Sequence, residues 1–354
     1  MSPFRTGLVL VVVLAGCSSG VATSPSAFPI ASPDTATPTA TATMHSTSCA
    51  DVFDTTHGRV AMTVGRSGSS YGIATVNADE SEFLPIVDPG EVRNQPHAGT
   101  EGPRWTPDGR ILFASNRAGG PDDWHVFVVD ADGGDLVQLT GGDDGIEYNP
   151  VMSPDGSTLV YAKAITTPEG PDPFREAGIF VSDADGGNER QLTTAPNGAV
   201  DEWPDISPDG QWVVFTRGHV PEGGLYIVNI DGTELRQLIP AEFEALRPRW
   251  SPDSEWIVLS SNGSRFAEES ANVWVVAPDG TGLRQLTDES VPGQAWAPDW
   301  SADGEQIVFV HTNTAGSGGL DVIGLDGSTI CTLWRGAGND AGWDPDWGPV
   351  EAAS

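Results

Sequence analysis

Basic residues are scarce in this chain of 354 residues. Lysine and arginine together number 17 against 50 aspartates and glutamates, so the formal net charge is −33, and Lys163 is the only lysine. A surface this acidic repels phosphate groups, which argues against nucleic acid as a partner and makes anionic lipid headgroups poor ones. The acidic residues are spread through turn segments and are not clustered. We therefore attribute them to solubility, and keep a basic partner or a bound cation as the functional alternative.

Long apolar runs are also missing. The run Leu8–Leu14 is too short to span a bilayer and follows Arg5, which is typical of the hydrophobic region of a signal peptide. The next residues, Leu14-Ala15-Gly16-Cys17, resemble a bacterial lipobox, whose cysteine is acylated and becomes the new N-terminus. We predict that residues 1–17 are a lipoprotein signal peptide with Cys17 as the lipid attachment site. The alternative is an ordinary secretory signal that contains a cysteine.

Residues 18–48 consist mainly of serine, threonine, alanine and proline, with almost no charge and few large apolar side chains. Such a segment cannot bury enough surface to offset chain entropy, so we predict a disordered tether. A tether behind an acylated cysteine holds a domain off a membrane, so we expect an extracytoplasmic protein anchored to a bacterial membrane by lipid alone. The folded domain is predicted over 49–350, with a tail at 351–354, and we expect a monomer.

A proline followed by a short polar and aromatic segment and a turn recurs along this domain. The six copies are GPRWTPDG (102–109), NPVMSPDG (149–156), WPDISPDG (203–210), RPRWSPDS (247–254), APDWSADG (297–304) and DPDWGPVE (344–351). Their spacing of about 44 to 54 residues is typical of the blades of a β-propeller. The high glycine and proline content recurs at fixed places in the repeat, so it marks turns and not disorder.

Residues 203–240 show the content of one copy. Pro208-Asp209-Gly210 is a turn signal, 212–216 and 225–228 are apolar runs of strand length, and Asp231-Gly232 predicts a hairpin before a more polar last strand. These segments predict four antiparallel strands, a to d from the channel outward, in each blade. Helical periodicity is absent.

The two ends of the domain explain how the ring closes. Residues 58–87 supply strands b, c and d without a strand a, and Asp344–Trp347 is a strand a with nothing after it. Together they complete one blade and remove the open edge. We therefore predict an all-β fold, a six-bladed β-propeller of four-stranded antiparallel blades, closed by N- and C-terminal strands that share one blade.

The repeat resembles that of the TolB-type six-bladed propellers. The resemblance is carried by P-x-W-S-P-D-G, by the D-G hairpins, and by Q-L-T at Gln138–Thr140, Gln191–Thr193 and Gln285–Thr287. It covers about 58–350, nearly all of the folded part. TolB proper carries an α/β domain ahead of its propeller, whereas a tether is predicted here, so the resemblance is to the propeller half alone.

Two cysteines remain once Cys17 carries lipid. Cys49 precedes the first repeat and Cys331 lies in the last one. The exported location permits a disulfide, and the first and last repeats of a ring are neighbours, so a bridge there would lock the closure. Two free buried thiols are the alternative.

The irregular loops gather at one end of the predicted ring. The turns a–b and c–d are short and repetitive, whereas the b–c loops at 164–178, 217–223 and 261–271 and the d-to-a crossings differ between copies. Binding surfaces are commonly built this way, on variable loops held by a regular scaffold. The crossings place aromatic and charged residues at the mouth of the channel: Glu101, Glu147, Tyr148, Glu202, Trp203, Arg247, Trp296, Trp343 and Asp344.

Aromatic and acidic groups that converge on a channel suit a peptide, a sugar or a cation. The alternative is that these side chains only cap the ends of the blades and face water. We expect a non-catalytic scaffold of the cell envelope that binds a protein, a peptide or a glycan, and we assign no catalytic residue and no cofactor.

Catalytic motifs give little support for an enzyme. No H-E-x-x-H sequence occurs, the six histidines have no metal-ligand spacing, and no glycine-rich phosphate loop opens a helix. The enzyme alternative is a lactonase-like hydrolase with a divalent cation, such as calcium or zinc, in the channel. Its ligands would be Glu101, Glu147, Glu202 and Asp344, but alanine occupies the corresponding places at Ala245 and Ala295, so the ligand ring is incomplete.

Overall fold

A computed structural model describes most of the predicted domain. The described residues are 48–53, 57–66, 70–88, 100–118, 123–142, 145–165, 177–196, 198–218, 223–261, 271–288, 293–313, 318–335 and 342–348. The predicted signal peptide, Cys17, the tether before residue 48, most of the three long b–c loops and the tail lie outside them. No helix within these described ranges has both the length and the apolar character needed to cross a membrane.

Strands numbered along the chain form six four-stranded antiparallel sheets in the described residues. Blade 1 contains β1 (Arg59–Arg66), β2 (Ser70–Asn77), β3 (Leu84–Val87) and β24 (Gly342–Trp347). Blade 2 contains β4 (Thr100–Trp105), β5 (Arg110–Ser115), β6 (His125–Asp130) and β7 (Val137–Gln138). Blade 3 contains β8 (Gly145–Met152), β9 (Thr158–Ile165), β10 (Ala177–Asp183) and β11 (Arg190–Gln191).

The remaining three blades follow the same order. Blade 4 contains β12 (Val200–Ile206), β13 (Trp212–Gly218), β14 (Gly224–Asn229) and β15 (Arg236–Pro240). Blade 5 contains β16 (Leu246–Trp250), β17 (Ile257–Ser261), β18 (Asn272–Val276) and β19 (Arg284–Gln285). Blade 6 contains β20 (Gly293–Trp300), β21 (Gln306–Asn313), β22 (Gly318–Gly324) and β23 (Thr329–Arg335).

The six blades form a closed ring, which confirms the predicted six-bladed β-propeller. The strands a of successive blades, β24, β4, β8, β12, β16 and β20, contact one another all the way round. Closure is made by the pairing of β24 with β1, in which Val60 lies opposite Trp347 and Thr63 opposite Trp343. The C-terminal strand therefore supplies strand a of the blade that the N-terminal strands begin.

The S-P-D-G motif is a self-contained turn. In blade 4 the Ser207 hydroxyl donates to Asp209 Oδ1 over 2.5 Å and accepts from the Trp212 backbone N–H over 2.9 Å. Asp209 Oδ1 also accepts from the Gln211 N–H, and Gly210 has a φ of 72°, in the left-handed region that favours glycine. These local bonds satisfy the turn backbone, which explains why the motif recurs at every a–b turn.

The Q-L-T motif ends the outer strand of three blades. In blade 3 this strand stops at Gln191. Beyond it, the Leu192 and Thr193 N–H groups both donate to the Ile179 carbonyl, and Thr193 Oγ1 accepts from the Ile179 N–H over 3.0 Å. A side-chain hydroxyl thus replaces the next backbone partner. The outer strands of blades 2 and 5 stop in the same way, at Gln138 and Gln285.

Apolar side chains pack between neighbouring blades. Trp250, Trp300 and Trp347, which share one place in the repeat, are at most 8% exposed. They pack in separate clusters between successive blades, together with valine, leucine and isoleucine from strands b and c. Each such burial contributes roughly 1.5–3 kcal/mol. This place in the repeat is therefore a packing position between blades.

The N-terminal segment joins blades 6 and 1. A disulfide links Cys49 to Cys331 of β23, and both residues are buried. Ser48 forms a parallel bridge with Thr332 of the same strand. On the other side, Glu80 of blade 1 accepts hydrogen bonds from the Ser48 hydroxyl and from the Ala50 N–H. The segment therefore reinforces the seam at which the ring closes.

Candidate functional site

Every strand a carries a bulge immediately before its repeat proline. The residue at that place has a positive φ in all six blades: Gly102 (59°), Asn149 (50°), Trp203 (51°), Arg247 (53°), Ala297 (48°) and Asp344 (49°). The register with strand b shifts there, for example between Glu202 and Asp205. A bulge re-aims the side chains beside it. Because the bulge recurs in every blade, it belongs to the fold, while the residue placed on it is free to vary.

Side chains from four blades meet at these bulges. The Arg247 guanidinium of blade 5 lies over the Trp203 ring of blade 4, with Cζ 5.1 Å from the ring centroid, and over the Trp296 ring of blade 6 at 5.2 Å. It also forms an ion pair with Asp344 of blade 1. We call these four residues the Arg247 cluster. The Arg247 side chain is 24% exposed, so the cluster is accessible to solvent.

Two further predicted residues lie beside the cluster. The Tyr148 hydroxyl of blade 3 donates to Glu202 Oε1 of blade 4 over 3.2 Å. Burial, reinforced by the nearby Glu202 carboxylate, raises the pKa of Tyr148, so this phenol stays protonated. Trp343 packs against Tyr71, with ring centroids 5.1 Å apart. Both pairs are half-buried.

Glu147 is separated from this group, although the sequence analysis placed it at the mouth. It is 2% exposed, and His125 Nδ1 lies 3.0 Å from its Oε2 while Lys163 Nζ lies 3.4 Å from its Oε1. The Thr140 hydroxyl donates to the same carboxylate. Glu147 therefore joins blades 2 and 3 from within. The Glu101 backbone pairs with Ala114 in blade 2, and its side chain lies outside the described residues.

A charged residue lies two positions further along strand a in five of the six blades. The residue after the repeat proline is Arg104, Asp205, Arg249, Asp299 or Asp346 in these blades, and it is Val151 in blade 3. Each aspartate accepts a hydrogen bond from the backbone N–H of the next blade: Asp205 from Trp250, Asp299 from Trp347 and Asp346 from Trp105, over 2.6–2.7 Å. We call this set the charged ring.

The two arginines neutralise most of this charge. Arg104 Nη2 lies 2.6 Å from Asp205 Oδ1 and Arg104 Nε lies 2.9 Å from Asp346 Oδ1, whereas Arg249 Nε is 3.9 Å from Asp299. These residues were not among the site residues predicted from the sequence. The pattern that could have identified them is a charged residue between the proline and the buried tryptophan position in five of the six copies.

Loss of solvation on burial has the largest effect on the pKa values of the residues in the charged ring. Loss of solvation raises the pKa of Asp299 to about 7, with a further contribution from Asp346 that the two arginines oppose. Burial likewise raises the pKa of Asp346, against the attraction of Arg104. Burial and the neighbouring Arg104 lower the pKa of Arg249 to about 10. Burial also lowers the pKa of Arg104, but the attraction of Asp346 and Asp205 outweighs burial, so the pKa of Arg104 is raised.

Neither a metal centre nor a hydrolase elbow is built here. Within the part of the chain that the structure describes, no group of three or more histidine, cysteine, aspartate or glutamate residues is arranged to hold a metal ion. The G-x-S-x-G sequence occurs twice, at residues 16–20, which lie outside the described residues, and at residues 68–72, where Ser70 begins β2. A nucleophile elbow requires a strand, a turn and then a helix, so this serine is part of a β-hairpin blade.

The chain is similar to known proteins in sequence and in fold. A family model described as the TolB beta propeller domain matches residues 26–254. An uncharacterized protein from Agrobacterium fabrum is 26% identical over 266 residues, which cover 70% of this chain and 81% of that protein. The Tol-Pal system protein TolB of Francisella tularensis is 24% identical over 250 residues, which cover 70% of this chain and 54% of that protein. The chain thus spans about half the length of that relative.

The fold comparison points the same way. The crystal structure of TolB from Acinetobacter baumannii matches with a TM-score of 0.64 and 17% identity, over 84% of this chain and 68% of that one. At this identity the likeness shows the fold alone. Taken with the family match over more than half of its residues, it shows that the chain belongs to the TolB beta propeller domain family.

Proposed function

We propose that this propeller is a non-catalytic binding protein of the bacterial cell envelope, which takes a protein or peptide at the end of the channel that carries the Arg247 cluster. The observation that carries the proposal is the meeting of Trp203, Arg247, Trp296 and Asp344 from four different blades. Half-buried tryptophan and arginine side chains are the types that dominate binding energy at protein interfaces. Tyr148 and Trp343 extend the same aromatic surface.

The N-terminal sequence and the relatives support the proposed location in the cell envelope. Cys17 in its lipobox would carry the lipid, and residues 18–48 would let the propeller stand away from the membrane. A relative that is named a Tol-Pal system protein supports an envelope role for the family. Metabolic labelling with a palmitate analogue tests the anchor: label should be lost in Cys17→Ser, and retention of the label in that variant would overturn it.

Crosslinking in intact cells tests the binding surface. Leu246 precedes Arg247 on β16 and is 38% exposed, and Leu235 on the outer side of blade 4 is 45% exposed. A photo-crosslinking residue at 246 should capture one defined envelope protein or peptide, and the same residue at 235 should not. Equal capture at both positions, or none at 246, would contradict the proposal. If the ligand is a glycan, added oligosaccharide should reduce the crosslinking of the residue at position 246.

The metal-dependent hydrolase is not favoured by the placement of its four ligands. Glu147 is held by His125 and Lys163, Asp344 by Arg247, and Glu202 accepts from Tyr148. The described carboxylates of this group therefore do not converge as ligands of one calcium or zinc ion, and we derive no reaction through such an ion.

A further inference from the structure

The Arg247 cluster has the composition of a receptor for a cation. The Arg247 guanidinium lies 5.1 and 5.2 Å from the centroids of two indole rings and forms an ion pair with the Asp344 carboxylate. Aromatic faces together with an acid are how proteins recognise guanidinium and ammonium groups. We propose that Trp203, Trp296 and Asp344 form a binding seat for a cationic side chain of the partner, and that Arg247 is its internal, exchangeable occupant. This inference rests on the binding function proposed above.

The fold does not require an arginine at this place. The bulge position is occupied by glycine, asparagine, tryptophan, alanine and aspartate in the other five blades, with a φ between 48° and 59° in each. Arg247 has a φ of 53°, a left-handed conformation that is unfavourable for a residue with a Cβ. Gly102 shows that the bulge forms without any side chain. The arginine is therefore retained for what its guanidinium contacts.

The charge around the seat favours a cationic ligand over an anionic one. Arg247 is already paired with Asp344, and Glu202 adds a second carboxylate on the blade that carries Trp203. The whole chain has a formal net charge of −33, which attracts basic partners over long distances. An arginine or lysine side chain entering from the partner would reproduce the contacts that Arg247 makes now. An acidic group would be repelled by Asp344.

Arg247, as the internal occupant, also lowers the affinity of the seat for a ligand. Arg247 has a long, flexible side chain that is 24% exposed. A ligand that takes its place binds with an affinity reduced by the fraction of time that the seat is empty. The seat would then select partners whose further contacts offset the displacement of Arg247, and would bind isolated cations weakly.

Removal of the occupant tests the inference. In the full chain, Arg247→Gly should relieve the positive φ and empty the seat, and Arg247→Gln is a second variant that keeps the length of the side chain. The probe is N-acetyl-arginine amide, and its neutral analogue N-acetyl-citrulline amide is the matched control. Binding is followed by tryptophan fluorescence and calorimetry. Both variants should bind the arginine probe about tenfold or more tightly than the wild type, and the citrulline probe no better.

Further variants separate the possible outcomes. Addition of Asp344→Asn to Arg247→Gly should remove the gain, since the carboxylate of the seat is lost. No gain in either single variant, or equal binding of both probes, would overturn the inference. So would binding of N-acetyl-glutamate amide by the wild type that disappears in Arg247→Gly, because Arg247 would then be the contact for an anion. If a partner is captured at 246 but the variants gain no affinity for the arginine probe, this inference is contradicted and the proposed function stands. If the variants gain affinity but no partner is captured at 246, the proposed function is contradicted and the cation-binding seat stands.

Discussion

Arg104 of blade 2 donates from Nη2 to Asp205 Oδ1 of blade 4 over 2.6 Å, although the two residues are 101 positions apart and a whole blade lies between them. The same guanidinium reaches Asp346 of blade 1 from Nε over 2.9 Å. Apolar clusters join blades to their immediate neighbours, whereas this arginine joins blades that do not touch through their sheets. The charged ring is therefore a second, central set of contacts inside the channel.

Loss of Arg104 should destabilise the propeller strongly. Arg104→Met would leave Asp205 and Asp346 buried with one guanidinium fewer, and an uncompensated buried charge costs about 3–5 kcal/mol. Addition of Asp205→Asn should restore part of the loss, because it removes one of the unpaired charges. Urea denaturation of the two variants and of Asp205→Asn alone gives the coupling energy of the pair.

Arg110→Met is the matched control for this experiment. Arg110 lies on the same blade and forms an ion pair of 2.8 Å with Asp108, but both side chains are more than a third exposed. Exposed ion pairs contribute about 0–1 kcal/mol, so this variant should unfold close to the wild type. If Arg110→Met and Arg104→Met had equal effects, the importance given to the charged ring would be refuted.

The raised pKa of Asp299 should make stability depend on pH. The unfolded carboxyl loses its proton near its ordinary value of 3.8, and the folded one near about 7. Between these values the folded state holds a proton that the unfolded state releases, so the free energy of unfolding falls as pH rises and levels off above about 7. We expect the wild type to lose about 1–3 kcal/mol between about pH 5 and about pH 8 through this group.

Asp299→Asn should flatten that part of the stability curve. The amide oxygen can still accept the hydrogen bond from the Trp347 N–H, while the titrating proton is gone. Asp288→Asn, at an exposed acid just after Q-L-T, should keep the pH dependence of the wild type. Denaturation of all three proteins at several pH values measures the difference. A wild-type slope that persists in Asp299→Asn would assign the pH dependence to another group.

The hydroxyl of the Q-L-T threonine should contribute to the stability of the propeller. Thr193 Oγ1 accepts from the Ile179 N–H and donates to Asp201 Oδ2 over 2.6 Å, and Asp201 holds Arg217 through two bonds of 2.6 and 2.7 Å. Thr193→Val keeps the shape but removes the partner of the buried Ile179 N–H and one of the three bonds to Asp201, which costs about 1–3 kcal/mol. Thr193→Ser should recover most of this. Thermal denaturation compares them, and equal stability of the valine and serine variants would contradict the hydrogen-bonding role.

The Cys49–Cys331 bridge should stabilise the closed ring. It spans 282 positions, so it restricts a very long loop of the unfolded chain. Its loss should cost about 2–5 kcal/mol. Cys49→Ser, Cys331→Ser and the reduced wild type should unfold at the same lower denaturant concentration, and Cys17→Ser at that of the oxidised wild type. Alkylation of both thiols in unfolded protein without a reductant would show that the bridge is absent.

The repeat and its closure were accessible from the sequence because the signals are local. The S-P-D-G turn is satisfied by hydrogen bonds within about six residues, such as Ser207 to Trp212. It therefore leaves similar letters at the five a–b turns of blades 2 to 6, from T-P-D-G to S-A-D-G. The strand at Asp344–Trp347 was predicted to complete the first blade, and β24 at Gly342–Trp347 does so. A missing strand at one end and a surplus strand at the other is a pattern in the chain order itself.

The candidate site was only partly accessible. The sequence analysis named Trp203, Arg247, Trp296 and Asp344, but also Glu147, which faces His125 and Lys163 between blades. Glu147 and Tyr148 are adjacent on β8, and neighbouring residues of a strand face opposite sides. The bulge that follows breaks the simple alternation, so counting from the proline did not separate the channel side from the blade side.

The chain alone is enough to give the number of blades, the strand order within each and the turn geometry, since each of these depends on contacts between residues close together in the repeat. The way in which the two ends meet can be inferred from the order of the strands along the chain. Which side chains share the channel depends on the folded ring. Arg247 with its two tryptophans and Asp344, and Arg104 with Asp205, come from copies that carry different residues at equivalent places. Their pairing results from closure of the ring, which brings distant positions to one axis and leaves no periodic trace in the chain.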